Sequence, residues 1–596
     1  MKIPVEQRIR ELRRVMSSRG VDALIVPSTD PHQSEYVGPR WQARQWLSGF
    51  TGSAGTLVVT ALQAGLWTDD RYHIQAEQEL KGSGIKLYKL REPGVPGFLE
   101  WIAETLKSGQ TVAFDGRVVS LNTIREMKKV FAAKTLKSRG REDWVDLVWR
   151  ERPAPPSAPA FDYPVKYAGL NRARKLETVR ARLKEKKADA LLLASLDDIA
   201  WLFNIRGGDI DHSPVVLAYA LVEADKATLY SNPAKFSPSL KRDLQRAGVT
   251  IHPYDSITAH LKSIASHKSL CLNPRRINQW LADAIPRSVK VIEDNTDITT
   301  ELKAVKNRVE QENFRRAALM DGLALVKFFA WLEHALKTGN RISEYDAGVR
   351  LAEFRKESPD YRGDSFPTIC AFGANAALMH YSAKADTAAA LKRKGLLFVD
   401  SGGNYLQGTM DTTRTVALGR VSLEARRSYT WVLKGMMALS RTQFPVGATG
   451  THLDVLVRAP LWAHGVNYRH GSGHGVGSYL NVHEGPQGLL PTWNSHAFKP
   501  GMILTIEPGV YVRGEYGIRT ENMVLVTQAS STVHGNFLKF ETLTVCPIDV
   551  APLIPSLLTP DEKAWLNEYH RSVWRKLSPL LKGSDRDWLK RKTDPI

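Results

Sequence analysis

Hydrophobic spacing predicts two segments in which a helix is followed by buried strands. Near the start of the chain, the strand-like run DALIVPS follows a predicted helix that carries four apolar residues on one face, Ile9, Leu12, Val15 and Met16. The later stretch VRARLKEKKADALLLAS repeats this order. In both segments a tryptophan motif, QWLSGF or AWLFNIRG, then precedes further apolar runs broken by polar turns. The repetition predicts two related α/β modules.

A proline-rich linker separates these modules. Residues 152–164 hold five prolines in thirteen positions, and proline removes backbone donors that helices and sheets require. A long amphipathic helix from about Lys306 to Gly339 opens a third region, in which strands such as GLLFVDSGG, MILTIEP and NMVLVT alternate with helices. From about residue 551 the chain reads as a helical extension. The predicted domains are residues 1–152, 165–303 and 304–596.

The composition is that of a globular protein. The 596 residues are 43% hydrophobic and 24% charged, which excludes collagen-like and wholly disordered classes. No run approaches about 20 apolar residues, the length of a membrane span, and the first residues lack the apolar core of a signal peptide, so we expect a cytoplasmic protein. The net charge of +20 comes from basic residues spread over predicted helices, so we expect neither a specific nucleic-acid partner nor a membrane partner.

The cysteines and several familiar motifs exclude other kinds of site. Cys271, Cys370 and Cys546 lie far apart, so neither a disulfide framework nor a CxxC metal site is available. No strict GxSxG, HExxH, GxGxxG or P-loop motif occurs. The glycine-rich run HGSGHGVGS lacks the lysine of a phosphate loop and contains two histidines. These imidazoles indicate metal binding or acid–base chemistry.

Carboxylates are placed where they can converge. Asp400 ends an apolar strand, and Asp411 lies in the next strand eleven positions later, so the two can face each other across a hairpin. Glu507 lies in an apolar strand before a Pro-Gly turn, and Glu521 heads another strand. Burying such groups is costly unless a cation compensates their charge. Arg519 could neutralise one carboxylate, so a buried salt-bridge network is an alternative interpretation.

Four histidines fall within twenty residues: His464, His470, His474 and His483. Four carboxylates and one imidazole suit two divalent cations, because oxygen donors favour Mn²⁺ or Mg²⁺ and a single histidine admits Mn²⁺, Co²⁺ or Zn²⁺. Two such ions about 3.5–4 Å apart would share a water molecule, lower its pKa and stabilise a hydrolytic transition state. The pattern therefore indicates metal-assisted hydrolysis.

These motifs resemble the aminopeptidase P branch of the methionine aminopeptidase, prolidase and creatinase superfamily. The resemblance rests on DSGGNYLQGTMDTTRT, HGSGHGVGSYLNVHEGP, TIEPGVY and GIRTENMVLV, and it extends to DPHQSEY, FTGSAGT, WLFNIRG and LNEYH, so it covers nearly the whole chain. It implies an α/β protein with two creatinase-N-like modules, an α+β catalytic domain of pita-bread fold and a short helical C-terminal extension.

The resemblance also implies how the metals are bound. Asp411 and Glu521 would bridge two divalent ions, Asp400 would bind one ion, and His474 with Glu507 would bind the other. The family metal is usually Mn²⁺, with Zn²⁺ or Co²⁺ as alternatives. Glu507 would also act as general base on the shared water.

The same resemblance places three further histidines, His380, His470 and His483, on the substrate side of the site. There they would bind the scissile carbonyl, move a proton or hold the peptide. Arg519 would pair with Asp400 and hold it in place. His464 matches no family role, and we expect it to be structural.

The implied reaction releases the N-terminal residue from Xaa-Pro-Yaa peptides, and the implied assembly is a homodimer. The proline specificity comes from the resemblance, because neither composition nor spacing reveals a proline pocket. An Xaa-Pro dipeptidase with the same metals is the nearest alternative, and the two α/β modules favour the aminopeptidase. A non-catalytic binding protein that keeps the fold is a third hypothesis.

Overall fold

The computed structural model describes residues 3–596. The chain divides into two compact units. The first unit comprises the residues up to Tyr163 together with Leu170–Thr299, and the second comprises Pro164–Gly169 together with Thr300–Ile596.

Residues 3–163 contain seven strands and five helices, together with a 3-10 turn at Pro39–Trp41. The strands are β1 (Ala23–Pro27), β2 (Thr56–Thr60), β3 (Ala64–Thr68), β4 (Lys86–Lys89), β5 (Thr111–Phe114), β6 (Lys137–Arg139) and β7 (Phe161–Asp162). The helices are α1 (Val5–Ser18), α2 (Ala43–Ser48), α3 (His73–Glu79), α4 (Phe98–Thr105) and α5 (Leu121–Ala132).

Residues 164–304 contain a second set of seven strands with seven helices. The strands are β8 (Ala190–Leu193), β9 (Ile205–Arg206), β10 (Tyr219–Glu223), β11 (Ala227–Tyr230), β12 (Val249–His252), β13 (Ser269–Leu272) and β14 (Lys290–Glu293). The helices are α6 (Val165–Ala168), α7 (Arg172–Glu185), α8 (Leu196–Phe203), α9 (Pro238–Arg246), α10 (Ile257–Lys262), α11 (Gln279–Ala282) and α12 (Ile298–Ala304).

The two sheets of the first unit have the same topology. Their strand orders are β4-β3-β2-β1-β5-β6 and β12-β11-β10-β8-β13-β14. Along each order one parallel pairing is followed by two antiparallel pairings and then by two parallel pairings. The prediction of two related α/β modules is therefore confirmed. In α1, Ile9, Leu12 and Met16 of the predicted apolar face are buried, whereas Val15 is half-buried.

The remaining residues, 305–596, contain six helices and fourteen strands. The helices are α13 (Arg308–Lys337), α14 (Glu344–Lys356), α15 (Leu423–Ser440), α16 (Gly450–Trp462), α17 (Pro560–Leu577) and α18 (Gly583–Lys592). The strands are β15 (Tyr361–Asp364), β16 (Ile369–Phe372), β17 (Leu396–Ser401), β18 (Gly403–Tyr405), β19 (Gly408–Thr409), β20 (Thr412–Ala417), β21 (Phe444–Pro445), β22 (Gly473–Gly475), β23 (Glu484–Leu489), β24 (Ile503–Ile506), β25 (Gly509–Val512), β26 (Tyr516–Arg519), β27 (Asn522–Thr532) and β28 (Gly535–Thr542).

Two groups of strands position the site in the second unit. One is the three-stranded sheet β16-β17-β20, and the other is the six-stranded sheet β21-β28-β27-β24-β22-β23. Helix α13 begins at a capping box in which Asn307 and Glu310 satisfy each other's backbone N–H groups. Its buried Phe314, Val326 and Phe328 belong to the same hydrophobic core as strands β24 and β27.

The structure differs from the sequence prediction at two places, the proline-rich linker and the hairpin between Asp400 and Asp411. Residues 152–159 form no regular structure, but Phe161–Asp162 form β7 and pair with β9, because this dipeptide contains no proline. The chain between Asp400 and Asp411 is more than a turn, since β18 and β19 form their own antiparallel pair within it. Asp411 consequently lies one residue before β20 instead of inside a strand.

The predicted helical C-terminal extension is present as α17 and α18. The Trp588 indole of α18 donates to Glu333 of α13 at 2.9 Å, and its ring stacks on Phe329 with centroids 6.5 Å apart. Within residues 3–596 no helix is long and apolar enough to cross a membrane. The three cysteines of the sequence are unpaired and buried.

Candidate active site

Two neighbouring strands bring Asp400 and Asp411 together. Strands β17 and β20 are antiparallel, with Asp400 opposite Thr413 and Ser401 opposite Thr412. Asp411 directly precedes this pairing, so both aspartates lie at the same end of the two strands. Each is at most 5% exposed.

A second strand pair supplies the glutamates and the histidine. In the antiparallel pair β24 and β27, Ile506 lies opposite Asn522. Glu507 follows Ile506 and Glu521 precedes Asn522, so the two glutamates lie side by side at the end of this pair. His474 belongs to the adjacent strand β22, which approaches β24 so closely that a Cβ on Gly473 would lie 1.9 Å from the Thr505 carbonyl oxygen.

These five side chains converge on one region. The His474 Nε2 atom lies 3.4 Å from Asp411 Oδ2 and 3.6 Å from Glu507 Oε1. Candidate ligand atoms lie within 4.8 Å of one another in three overlapping groups: Asp400, Asp411 and Glu521; His474, Glu507 and Glu521; and Asp411, His474 and His483. Asp411, His474 and Glu521 each belong to two of these groups.

In two of the carboxylates one oxygen is fixed by the protein and the other remains open. Asp400 Oδ2 accepts a hydrogen bond from Arg519, and Glu521 Oε2 accepts one from the Thr413 hydroxyl at 2.6 Å. Asp400 Oδ1 and Glu521 Oε1 are buried without a hydrogen-bond partner. Unsatisfied buried carboxylate oxygens are costly, so these atoms require a cation or a proton.

The His474 ring presents a lone pair to the same region. Its Nδ1 atom lies 2.9 Å from the Gly475 carbonyl oxygen, and a carbonyl can only accept, so Nδ1 carries the proton. In the neutral ring Nε2 is then the free ligand atom facing Asp411 and Glu507. A histidine whose tautomer is fixed in this way is typical of metal sites.

Electrostatics distinguish this cluster from an ordinary salt bridge. Burial, together with the neighbouring carboxylates, raises the pKa of Glu521 well above its usual range. Burial also raises the pKa of Asp400 and of Glu507 despite the nearby Arg519. Burial alone would lower the pKa of His474, but Asp411 and Glu507 raise it to about 9. Raised pKa values on several adjacent carboxylates and on His474 mean that this cluster attracts positive charge, and the donor set fits divalent cations.

His470 lies beside the cluster in its neutral form. Burial and the nearby Arg519 lower its pKa to about 3. Its Nδ1 atom donates to the Gly471 carbonyl at 2.7 Å, so Nε2 accepts from the Tyr511 hydroxyl at 3.1 Å. The same hydroxyl accepts from Arg519 at 2.8 Å. His470, Tyr511 and Arg519 thus form one hydrogen-bonded chain that ends at Asp400.

Helix α16 braces the segment that carries His470. Arg458 and Asp454 form a buried ion pair with 2.6 Å between Nε and Oδ2. The guanidinium donates to the His470 carbonyl, and Asp454 accepts from the Ser472 hydroxyl, at 2.7 and 2.6 Å. Ser472 in turn accepts a backbone hydrogen bond from Glu507 at 2.8 Å.

The other predicted histidines have different surroundings. The His483 ring meets His474 edge-on with centroids 4.3 Å apart. His380 follows the 3-10 turn Gly373–Ala377. It is near enough to His470 to contribute to the lowered pKa of that ring, after burial, Arg519 and Arg458. His464 stacks on Trp431 with centroids 4.4 Å apart, which is a packing contact.

Sequence reasoning missed several side chains that hold the site. Thr413 bonds both Glu521 and Arg519, and its only sequence signal is its position two residues after Asp411. The buried Arg414 donates to the backbone carbonyl of Glu521 and to the Tyr569 hydroxyl of α17. No local pattern could have linked residues so far apart in the chain.

Comparison with protein families divides the chain into four matches. Residues 8–146 and 151–310 each match a creatinase/prolidase N-terminal domain. Residues 312–528 match metallopeptidase family M24, and residues 536–596 match the C-terminal region of that peptidase family. The predicted fold, with two creatinase-N-like modules, a pita-bread domain and a C-terminal extension, is thereby confirmed.

Relatives that match over the full length of this chain are named as aminopeptidases P or X-prolyl aminopeptidases. The chain is 38% identical to aminopeptidase P2 of Arabidopsis thaliana, covering 100% of this chain and 89% of the relative. It is 39% identical to a probable Xaa-Pro aminopeptidase P of Coprinopsis cinerea, covering 100% and 99%. A solved X-prolyl aminopeptidase from Caenorhabditis elegans, described as a cytosolic enzyme with a di-nuclear active site, superposes with a TM-score of 0.94 at 33% identity, covering 100% of both chains. The chain therefore belongs to the aminopeptidase P family of M24 metallopeptidases.

Proposed function

We propose that this enzyme hydrolyses the first peptide bond of Xaa-Pro-Yaa peptides and releases the N-terminal residue. The observation that carries the proposal is the convergence of three buried carboxylates, the half-buried Glu507 and His474 on one region, with one open oxygen each on Asp400 and Glu521. The full-length similarity to enzymes named Xaa-Pro aminopeptidase supports the substrate class. The domain division 1–152, 165–303 and 304–596 is part of the same proposal.

Two divalent cations would be held by Asp400, Asp411, His474, Glu507 and Glu521. Asp411, His474 and Glu521 each belong to two of the overlapping ligand groups. A carboxylate offers two oxygens and the His474 ring only its free Nε2, so Asp411 and Glu521 would be the shared ligands. When bound, the cations would lower the pKa of a water molecule and stabilise the negative charge that develops during hydrolysis. The oxygen-rich donor set with one imidazole favours Mn²⁺, with Zn²⁺ or Co²⁺ as alternatives.

Among the chain's own groups, Glu507 acts as the general base. Its Oε1 atom lies 3.4 Å from the Thr505 hydroxyl and 3.6 Å from His474 Nε2, so the carboxylate is oriented toward the cluster. Arg519 fixes Asp400 and also lies 3.8 Å from Glu507 Oε2. A carboxylate held in this way can take a proton from the attacking water and return it to the leaving amine.

The histidines His380, His470 and His483 serve the substrate. An imidazole N–H can donate to the oxygen of the scissile carbonyl as negative charge develops there. Neutral His470 differs from the other two, because its N–H donates to the Gly471 carbonyl and its Nε2 accepts from Tyr511. It therefore serves the site by orienting the Tyr511–Arg519 pair. Proline in second position supplies no N–H to the enzyme, so recognition depends on contacts with the carbonyl groups and the ring.

The enzyme acts in the cytoplasm as a homodimer, without a specific nucleic-acid or membrane partner. The C. elegans relative, described as cytosolic, supports the location. Peptides with N-terminal Xaa-Pro are the partners that the site would bind.

Hydrolysis of an Arg-Pro-Pro tripeptide and of an Xaa-Pro dipeptide by metal-stripped protein, with and without Mn²⁺, tests the proposal. Metal-dependent release of the first residue from the tripeptide is the expected result. Preference for the dipeptide would identify an Xaa-Pro dipeptidase. Cleavage of neither peptide would favour a non-catalytic binding protein.

A further inference from the structure

A single buried carboxylate organises the segment that carries His380. We name residues 372–389 the His380 loop; it connects the end of β16 to the chain before β17. Glu344, the first residue of α14, is 0% exposed and points its carboxylate at this loop. Neither the metal-site cluster nor the mechanism described above involves Glu344.

Four groups of the loop donate to the Glu344 carboxylate. The backbone N–H of Phe372 bonds Oε1 at 2.6 Å, and that of Ala389 bonds Oε2 at 2.8 Å. The Asn375 amide lies 3.1 Å from both oxygens, and the Tyr381 hydroxyl donates to Oε2 at 2.7 Å. These donors come from the beginning, the middle and the end of the loop.

The backbone of Glu344 adds a fifth connection. Its N–H donates to the Ala389 carbonyl at 3.0 Å. Within residues 3–596 the carboxylate forms no ion pair, so its hydrogen-bond donors come from the loop. A fully buried carboxylate tolerates little displacement of its donors, so these bonds fix the loop on α14.

The opposite side of the loop is equally constrained. Strand β26 approaches the loop so closely that a Cβ on Gly517 would lie 1.8 Å from the Ala376 carbonyl oxygen. The Tyr381 ring packs in a small hydrophobic cluster with Phe398 and Tyr511. Tyr511 bonds Arg519 and His470. The residue next to His380 is thus held by Glu344 on one side and by active-site neighbours on the other.

We propose that Glu344 is a positioning residue that acts through the Tyr381 hydroxyl to set the place of His380 in the active site. The inference rests on the proposed function, because it assumes that His380 contacts the bound peptide. Glu344 itself touches neither substrate nor metal. Its effect on the reaction is therefore transmitted entirely by the His380 loop.

A double-mutant cycle of Glu344→Gln and His380→Ala on Mn²⁺-loaded enzyme tests this coupling. In Glu344→Gln the side-chain NH₂ group would face N–H and O–H donors of the loop, which displaces the loop. We expect kcat for an Arg-Pro-Pro tripeptide to fall roughly 10- to 100-fold, since small displacements of reacting groups cost this much. In the His380→Ala background the same substitution should change kcat by less than about 2-fold, because the group being positioned is already absent.

Two further variants make the cycle specific. Glu353→Gln on the exposed face of α14, where Glu353 pairs with Arg350, is the matched control and should leave kcat unchanged. Tyr381→Phe keeps the packed ring and removes only the hydroxyl. It should lower kcat by roughly 3- to 10-fold in the wild type and by less in the His380→Ala background. This variant decides the question if Glu344→Gln does not fold.

The outcomes separate the inference from the proposed function. An active wild type whose Glu344→Gln and His380→Ala losses multiply independently would overturn the inference and leave the function intact. A loss caused by Glu344→Gln when His380→Ala has no effect would overturn it as well. A wild type that cleaves no Xaa-Pro peptide would overturn the proposed function first. Bound Mn²⁺ per chain should remain unchanged in every variant of the cycle.

Discussion

Buried charge is balanced in different ways in the two units of the molecule. In the first unit Asp209 and Lys235 form an ion pair whose side chains are 1% and 2% exposed, and the same carboxylate accepts the Leu217 N–H at 2.6 Å. The single negative charge of Asp209 is balanced by the single positive charge of Lys235. In the second unit four carboxylates cluster near Arg519, which donates a hydrogen bond to Asp400 and lies 3.8 Å from Glu507 Oε2.

This difference separates a structural ion pair from a reactive site. In the Asp209–Lys235 pair one ammonium balances one carboxylate, although Asp209 Oδ1 has no hydrogen-bond partner. Because its charges are balanced within the protein, its removal should affect folding. The carboxylate cluster is incomplete without additional positive charge, which is why burial and mutual repulsion raise the pKa of Asp400, Glu507 and Glu521. Removal of one of its carboxylates should weaken cation binding and catalysis. The same change should stabilise the metal-free protein, because fewer buried carboxylates then repel one another.

The largest expected effect comes from Glu521→Gln. Loss of a shared ligand should lower kcat at least about 1,000-fold, since metal ions contribute several kcal/mol to such transition states. In the metal-free protein at pH 7 the same change should raise the free energy of unfolding by about 1 kcal/mol, because glutamine is neutral without the proton that Glu521, with its raised pKa, must take up on folding. Metal analysis, peptide hydrolysis and denaturant unfolding measure the three quantities. Normal turnover with full metal content would refute the assignment of Glu521.

Asp209→Asn should show the opposite pattern. It leaves the Lys235 ammonium buried without its counter-ion, which typically costs about 3–5 kcal/mol. Urea unfolding should detect this loss, whereas Mn²⁺ content and kcat of the folded fraction should match the wild type. A change in metal content would contradict the separation between the two kinds of buried charge.

His470→Ala should lower kcat less than Glu521→Gln does and, unlike Asp209→Asn, should act on turnover and not mainly on folding. His470 is not among the ligand groups but reaches Arg519 through Tyr511. We therefore expect kcat to fall by about 100-fold, the usual size of an acid–base or positioning contribution, with bound metal retained. Loss of metal from a folded variant would mean that His470 is a ligand.

The smallest expected effect concerns acid stability at His570 on α17. Burial and the nearby Arg414 lower the pKa of His570 to about 4, and its Nε2 atom accepts the Ile548 N–H at 3.2 Å. Between pH 6.5 and 4 the unfolded imidazole binds a proton that the folded one does not, so stability is complete above this window and falls as pH decreases through it.

At pH 5 the penalty from His570 amounts to about 2 kcal/mol relative to pH 8. His570→Gln keeps an acceptor for Ile548 and removes the titrating group, so its unfolding free energy should change by about 2 kcal/mol less between these pH values. Denaturant unfolding of metal-free wild type and variant at both pH values measures the difference. Equal pH dependence of the two proteins would contradict the assignment.

Periodicity made the regular elements predictable from the sequence. The apolar spacing of Ile9, Leu12 and Met16 identified α1. The repeated order of helix and strands predicted two related α/β modules, and the structure adds that their sheets have the same topology. The five candidate ligands could be recognised from the sequence, because acidic residues and histidines are rare in and beside apolar strands. The structure brings all five together. Their metal-binding roles remain predictions.

The supporting contacts could not be predicted, because they join distant parts of the chain. Glu344 starts a helix, where an acidic residue is expected for local reasons, and only the folded chain shows its carboxylate accepting donors from residues 372–389. Arg414 likewise reads as one basic residue in a strand, yet it bonds Tyr569, 155 positions away. Hydrophobic spacing carries no information about such pairs.

The measurement that tests the central claim most directly is a Mn²⁺ titration of the metal-stripped protein, followed by hydrolysis of Arg-Pro-Pro. The account predicts no activity without metal and a rise that saturates when two ions are bound per chain. Full activity in the metal-stripped protein, or saturation without any bound Mn²⁺, would contradict it.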